Sequence, residues 1–203
     1  MSILFATHGA HAADRPQVLL AFGDSLTAGY GLGPGKGYPE VLEGLLRKAG
    51  REVRVVNAGV SGDTSGDGLA RLDWTLAERP DAAIVCLGAN DALRGLPVAR
   101  MERNLDAILA RFEQEKIPVL LAGMKAPMNL GAAYTTSFAA VFPRLAEKHH
   151  DLLYPFLLEG VAANPALNQG DGIHPNARGA TEIARRILPY AEKLLDRAAA
   201  KAP

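Results

Sequence analysis

Short runs of apolar residues alternate along this chain with stretches in which apolar residues recur every three or four positions. The runs predict buried strands at 17–22, 53–57, 82–87, 117–122 and 151–154. The periodic stretches predict amphipathic helices at 38–49, 68–78, 98–115, 137–149 and 176–197. Because a helix separates each strand from the next, we expect parallel strands in one sheet with helices on both faces.

This order of elements predicts an α/β protein with three layers, an α/β/α sandwich. The five parallel strands should follow the flavodoxin-like order 2-1-3-4-5. A chain of 203 residues suits one domain, and no stretch has the composition of a linker, so residues 17–203 should form that domain. Residues 1–16 should lie outside it, as a disordered tail or the remnant of a signal peptide.

The amino-terminal segment leaves two interpretations open. Its Ala10-His11-Ala12 sequence is typical of a signal-peptidase site, which favours a periplasmic or secreted protein. The apolar stretch before it, 2–6, is shorter than a complete signal peptide requires, and no positive charge precedes it. An alanine-rich tail on a cytoplasmic protein fits these residues equally well. No apolar run is long enough to span a bilayer.

Composition excludes several classes of partner. Lys plus Arg and Asp plus Glu number 22 each, so there is no net charge to attract nucleic acid or an anionic membrane. The single cysteine, Cys86, excludes an intrachain disulfide, and its apolar surroundings predict a buried structural thiol. His8 and His11 have no neighbouring ligands, so we expect no metal site. The oligomeric state stays open.

The residues with the clearest chemical signal follow the predicted strands. Ser25 comes directly after the first strand, at the sheet edge where open α/β folds place their active sites. A serine hydroxyl needs an imidazole to take its proton. Among five histidines, only His174 lies in a loop that could face Ser25, whereas 149–150 ends a helix where solvent exposure is expected. Asp171 lies three residues before His174, and Gly172 lets the chain fold back to orient the imidazole.

Two further residues are candidate donors to the oxyanion of an acyl-transfer reaction. Gly59 and Asn90 each follow a predicted strand, on the same sheet edge as Ser25. With the Ser25 backbone N–H they would provide three donors for one developing charge. Taken singly, Gly59 also suits a tight turn and Asn90 a turn or helix cap.

Together, four segments resemble the GDSL, or SGNH, hydrolase family. The segments are 23–26 (GDSL), 57–64 (NAGVSGDT), 88–91 (GAND) and 171–175 (DGIHP), and they stand in the family's order. The neighbouring sequence is similar to the bacterial esterase, thioesterase I and lysophospholipase branch, which is typically periplasmic. The resemblance implies hydrolysis of carboxylic esters, and of thioesters or lysophospholipids, by Ser25, His174 and Asp171. It implies Ser25, Gly59 and Asn90 as oxyanion donors and neither metal nor organic cofactor.

Substrate contacts are predicted in two places. Asp24 and Leu26 flank the serine. After the fourth strand, 124–134 is rich in apolar and hinge-like residues, which suggests an adaptable wall for an acyl chain, although packing beneath a connecting loop is the alternative. The predicted wall residues are Met124, Pro127, Met128 and Leu130. Trp74, at helical spacing with Leu69 and Ala70, is predicted to be core.

Two other functions fit parts of the sequence. A carbohydrate O-acetylesterase would use the same catalytic groups with a more polar groove. A flavodoxin-like nucleotide-binding module would follow from fold analogy alone. The glycine-rich stretch 31–37 lacks the spacing of a phosphate-binding loop, which argues against nucleotide binding and favours a flexible loop entering a helix at Tyr38-Pro39.

Overall fold

The computed structural model describes residues 15–201. Most of the predicted tail or signal remnant therefore lies outside the described residues. The five parallel strands of the sheet have the order β2-β1-β3-β4-β5, which confirms the predicted topology. The strands are β1 (Gln17–Gly23), β2 (Val53–Gly59), β3 (Ala82–Cys86), β4 (Val119–Ala122) and β5 (Leu152–Tyr154).

Helices cover both faces of this sheet and complete the three-layer sandwich. They are α1 (Ser25–Ala28), α2 (Tyr38–Lys48), α3 (Ser65–Leu76), α4 (Ala89–Leu93), α5 (Val98–Gln114), α6 (Ala132–Lys148) and α7 (Ala177–Lys201). Helices α2 and α7 pack against each other in one layer, while α5 packs between α3 and α6 in the other. The start of α2 at Tyr38 confirms the predicted loop-to-helix junction.

The core lies between the sheet and these two layers. The central strands are apolar on both faces, and all five residues of β3 are buried, as a doubly covered parallel sheet requires. Helix α5 presents one apolar stripe at helical spacing, from Met101 through Leu105 to Phe112. Cys86 is fully buried, which confirms the structural thiol, and burial raises its pKa well above the usual value.

Local capping explains where the structure departs from the predicted boundaries. Helix α3 begins at Ser65 rather than 68, because Thr64 and Asp67 form a reciprocal capping box. Helix α6 begins at Ala132 rather than 137, directly after Gly131, whose φ of 84° stops the preceding turn. The two short helices α1 and α4 have too few residues to show a periodic pattern. Both follow strand ends, and they carry Ser25 and Asn90.

The prediction that Trp74 belongs to the core is wrong. Its side chain is 86% exposed, whereas its neighbour Leu72 is 2% exposed. The spacing with Leu69 and Ala70 is compatible with a helix, but the buried face of α3 runs through Gly68, Leu72 and Thr75 instead. Trp74 lies near the carboxyl end of α3, which faces away from the sheet edge that carries Ser25.

Replacing Trp74 by Gln should leave the free energy of unfolding within about 0.5 kcal/mol, because an exposed side chain gives up little contact on truncation. The matched change Leu72→Ala should destabilise by about 2–5 kcal/mol, since it leaves a cavity in the core. Chemical denaturation followed by circular dichroism measures both values. A loss at position 74 as large as that at position 72 would contradict the exposed position.

No helix within residues 15–201 has the length and apolarity needed to cross a membrane.

Candidate active site

Ser25 stands where β1 turns into α1. Its neighbour Asp24 is the N-cap of that helix, and the Asp24 side chain accepts the Leu26 N–H at 3.0 Å. Gly23 is required just before, because a Cβ there would lie 2.6 Å from the Cys86 carbonyl oxygen on β3. This tight turn leaves the Ser25 side chain half-buried at the sheet edge.

The structure brings Ser25, His174 and Asp171 into one hydrogen-bonded chain. The Ser25 Oγ lies 2.9 Å from His174 Nε2, across 149 residues of sequence. The His174 Nδ1 lies 2.6 Å from Asp171 Oδ2. An ionised carboxylate can only accept, so the Nδ1 proton is donated to Asp171 and Nε2 is left to accept from the serine hydroxyl.

Asp171 is held as a carboxylate by the loop it starts. Its Oδ1 accepts the backbone N–H groups of His174 and Ile173, each at 3.0 Å, and the turn passes through Gly172 with a φ of 74°. The His174 backbone and side-chain hydrogen bonds, followed by the Ile173 N–H, lower the pKa of Asp171 to about 2. Asp171 is therefore negatively charged throughout the neutral pH range.

Two residues that the sequence did not single out hold His174 in place. The Tyr30 ring lies against the imidazole, with ring centroids 4.6 Å apart. Gln169 Nε2 donates to the carbonyl oxygens of Tyr30, at 2.7 Å, and Pro175, at 2.9 Å. The Gln169 backbone N–H donates to the His174 carbonyl at 2.7 Å. Because Tyr30 and Gln169 are 139 positions apart, no local pattern could have indicated this pairing.

The geometry at Gly59 contradicts its predicted role as an oxyanion donor. Its N–H donates to Asn57 Oδ1 at 3.0 Å, and the Asn57 amide in turn donates to Glu40 Oε1 at 2.8 Å. A Cβ on Gly59 would lie 2.1 Å from the Ala28 backbone nitrogen. Glycine is needed here so that β2 can lie against α1, and its N–H is already engaged.

Gly62, in the same segment, has the backbone geometry that Gly59 lacks. Its φ is 90°, which favours glycine, and its N–H has no hydrogen-bond partner between residues 15 and 201. Helix α4 fixes this loop at two points. Arg94 donates to the Gly62 carbonyl at 2.6 Å, and Asn90 Nδ2 donates to the Asp63 carbonyl at 2.9 Å. The sequence Ser61-Gly62-Asp63-Thr64 lies in the loop after β2 and could have indicated Gly62 as the candidate donor.

Asn90 does not act as a helix cap. The N-cap of α4 is Gly88, with a φ of 111°, and Asn90 lies inside the helix. One of its two amide protons is used by the Asp63 carbonyl. The other has no partner among residues 15–201. The Ser25 backbone N–H, at the first position of α1, also has no partner in the described part of the chain.

The predicted substrate contacts differ in how much surface they present. Asp24 is fully buried and Met124 is 5% exposed, so neither presents surface to a substrate. Burial raises the pKa of Asp24 to about 7, although the hydrogen bond from the Leu26 N–H lowers it. The Asp24 Oδ2 atom has no hydrogen-bond partner among residues 15–201. Leu26, although 8% exposed, lines a small cavity beside Ser25 and His174. Residues that can line an open surface are Pro127, Met128 and Leu130.

The expectation that 149–150 is solvent-exposed is wrong for His149. Its side chain is 6% exposed and lies between Asp106, at 2.7 Å, and Glu113, at 3.1 Å. It ends α6, at the sheet edge opposite Ser25, and so it has no part in this site. Within the described chain, no group of three or more His, Cys, Asp or Glu side chains is arranged to hold a metal ion.

The serine is hydrogen-bonded to an imidazole, and a carboxylate orients that imidazole. This arrangement, at the carboxyl edge of a five-stranded parallel sheet, defines the α/β/α class of serine hydrolases. Comparison with known families agrees with this class. The chain belongs to the GDSL-like lipase/acylhydrolase family, whose sequence model matches residues 21–181.

Several relatives are similar over nearly their whole length. Esterase TesA of Pseudomonas aeruginosa is 39% identical over 180 residues, which is 88% of this chain and 90% of the relative. The thioesterase 1/protease 1/lysophospholipase L1 of Escherichia coli K12 is 39% identical over 195 residues, 96% of this chain and 91% of the relative. The crystal structure of AlinE4, an SGNH-hydrolase family esterase, is 49% identical with a TM-score of 0.76, covering 89% of this chain and 97% of that one.

Proposed function

We propose that this carboxylic ester hydrolase works through an acyl-enzyme formed on Ser25. The observation that carries the proposal is the pair of contacts made by His174, 2.9 Å to Ser25 Oγ and 2.6 Å to Asp171 Oδ2. Each of the three hydrogen-bonded residues then has a defined role. Ser25 is the nucleophile, His174 is the base and then the acid, and Asp171 orients and stabilises the imidazolium.

The reaction proceeds in two halves. Ser25 Oγ attacks the acyl carbonyl carbon while its proton passes to His174 Nε2. The tetrahedral intermediate collapses as the carbon–oxygen bond of the ester breaks, and the Nε2 proton goes to the leaving alcohol. Water then attacks the acyl-serine and gives its proton to Nε2, and the second collapse releases the carboxylic acid and returns the proton to Ser25.

Three donors would stabilise the oxyanion. The Ser25 and Gly62 backbone N–H groups and the free Asn90 amide proton have no protein partner within residues 15–201, which supports this assignment. This assignment gives Gly62 the role that the sequence predicted for Gly59. Donors fixed in advance cost no reorganisation when negative charge develops on the carbonyl oxygen.

We propose acyl esters as the main substrates, with thioesters and lysophospholipids as further ones. The names of the TesA, arylesterase and thioesterase 1/lysophospholipase L1 relatives support this range. Four exposed large apolar side chains also support it. Tyr30, Met128 and Ile173 lie in turns, and Leu93 ends α4, all in connections that follow strands at the Ser25 edge. Met128 is 84% exposed in a short 3-10 turn, Met128–Leu130, and would contact an acyl chain.

A chromogenic ester series tests this proposal. Hydrolysis of nitrophenyl esters with increasing acyl length is compared with hydrolysis of an acyl-CoA, a lysophospholipid and an acetylated sugar, and the Ser25→Ala protein serves as the blank. Turnover of acyl esters that vanishes in the blank is expected. Turnover confined to acetylated sugars would support a carbohydrate O-acetylesterase instead and would overturn the substrate assignment.

Replacing Asn90 by Ala should lower kcat by about a hundred- to a thousand-fold, while KM stays nearly unchanged. The lost donor acts on charge that develops in the transition state, so the neutral substrate is bound almost as before. Steady-state kinetics and the thermal midpoint are measured on one preparation. The matched control is Asn104→Ala on α5, which removes an amide donating to Ser65 Oγ at 3.0 Å and should keep kcat. Equal kcat values for both variants would mean that Asn90 contributes only to the structure and is not an oxyanion donor.

We further propose that the mature enzyme is periplasmic or secreted. The Ala10-His11-Ala12 sequence supports cleavage before Ala13. Sequencing the amino terminus of the full chain after expression in a Gram-negative host tests this. Cleavage before Ala13 together with recovery in the periplasmic fraction is expected, whereas an intact amino terminus in the cytoplasmic fraction would contradict it.

A further inference from the structure

Arg71, on the middle of α3, connects the two parts of the proposed catalytic apparatus. Its Nε donates to Asp63 Oδ2 at 2.6 Å, and its Nη2 donates to the Gly23 carbonyl at 2.9 Å. The guanidinium carbon lies 4.4 Å from the centroid of the Phe22 ring. The contacts reach the last residues of β1 on one side and the Gly62–Asp63 loop on the other.

Each partner of Arg71 stands next to a group proposed to act on the substrate. Gly23 ends β1 two residues before Ser25, and its carbonyl also accepts the Val60 N–H at 3.0 Å. Asp63 follows Gly62 directly, and its own carbonyl accepts the Asn90 amide. The arginine therefore lies between the strand end that precedes the nucleophile and the loop that carries one oxyanion donor, Gly62, and accepts a hydrogen bond from a second, Asn90.

The surroundings of Arg71 favour a fixed geometry. The side chains of Arg71 and Asp63 are 22% and 12% exposed, so solvent competes little with their ion pair. A planar guanidinium can donate in two directions at once while one face rests on an aromatic ring. The ammonium of lysine is a compact point charge and does not reproduce this arrangement.

We propose that Arg71 is a positioning residue for the ester hydrolysis argued above, setting the distance between Ser25 and the oxyanion donors Gly62 and Asn90. It acts through Asp63 and Gly23 and touches neither substrate nor the reacting atoms. The inference rests on the proposed function and adds a residue to it. A misplacement of about 1 Å can cost on the order of a hundred-fold in rate. The contacts of Arg71 should therefore affect turnover more than substrate binding.

Arg71→Met should lower kcat by about ten- to a hundred-fold with KM nearly unchanged. Arg71→Lys should stay close to the Met variant, because lysine keeps the charge and loses the two-directional contact. The matched control is Arg111→Met on α5. Arg111 likewise contacts two groups, the carboxylates of Asp73 and Glu115, but on the outer surface, and its replacement should leave kcat unchanged.

A double-variant cycle separates positioning from simple destabilisation. If Arg71 works through the oxyanion loop, Arg71→Met should lower kcat much less when Asn90 is already Ala, because the donor it positions is gone. Thermal midpoints should shift by similar amounts in both backgrounds. If Arg71→Met does not fold, Arg71→Lys takes its place in the cycle with the same expectations.

Three results would overturn the inference while Ser25→Ala stays inactive. They are a normal kcat in a folded Arg71→Met protein, a normal kcat in Arg71→Lys, and a full multiplicative loss in the double variant. An active Ser25→Ala protein would instead overturn the proposed function itself. The failure of one claim is therefore distinguishable from the failure of the other.

Discussion

Replacing Ser25 by Ala should abolish ester hydrolysis, with kcat falling roughly a million-fold, while the fold stays intact. Alanine removes the Oγ atom on which the proposed acyl-enzyme forms. Among residues 15–201, the half-buried side chain makes a single hydrogen bond, to His174 Nε2, so its loss changes little in the packing. Turnover and circular dichroism are measured on the same protein.

Ser137→Ala is the matched control for this change, because Ser137 is an exposed serine on α6. It should retain full activity. A folded Ser25→Ala protein with near-normal turnover would remove Ser25 from the mechanism, whatever the behaviour of the control.

Replacing Asp171 by Asn should lower kcat by about a thousand- to ten-thousand-fold. The neutral amide no longer fixes the imidazole tautomer, and it no longer stabilises the positive charge that His174 gains during attack. Asp106→Asn is the matched control, since Asp106 Oδ1 lies 2.7 Å from His149 Nε2, outside the active site. Equal activity in the two variants would remove Asp171 from the catalytic chain.

The low pKa of Asp171 makes the stability of the fold depend on pH. Its pKa is lowered from 3.8 to about 2 in the folded protein, so the carboxylate is ionised across the neutral range. The stability that the ionised Asp171 adds should be present above pH 3.8 and should be lost as pH falls towards 2.

The sheet and the catalytic chain could be predicted because their signals are local. Parallel strands covered by helices follow from the alternating apolar runs and periodic helices, the strand order follows from the flavodoxin-like fold class, and Asp171 and His174 share a single turn. Ser25 is positioned by the strand that precedes it. In each case neighbouring residues determine the geometry, so the sequence pattern contained the necessary information.

The remaining features depend on contacts between distant segments. Gly59 ends β2 and Gly62 lies in the loop that follows, and the N–H of Gly59 is engaged by the Asn57 side chain, which is bound to Glu40 on α2. The helical period around Trp74 was correct, but the face of α3 that packs against α5 was not readable from spacing alone. Met124 was misassigned to a surface wall because burial after β4 depends on the surrounding layers.

Labelling with a serine-directed organophosphonate tests the central claim most directly. Phosphonylation should stop ester hydrolysis at one equivalent per chain, and peptide mapping by mass spectrometry should place the adduct on Ser25. Ser25→Ala should take up no label, and Ser137→Ala should be labelled as the unmodified protein is. An adduct on another residue, or full activity in a protein fully labelled at Ser25, would contradict the assignment of Ser25 as the nucleophile.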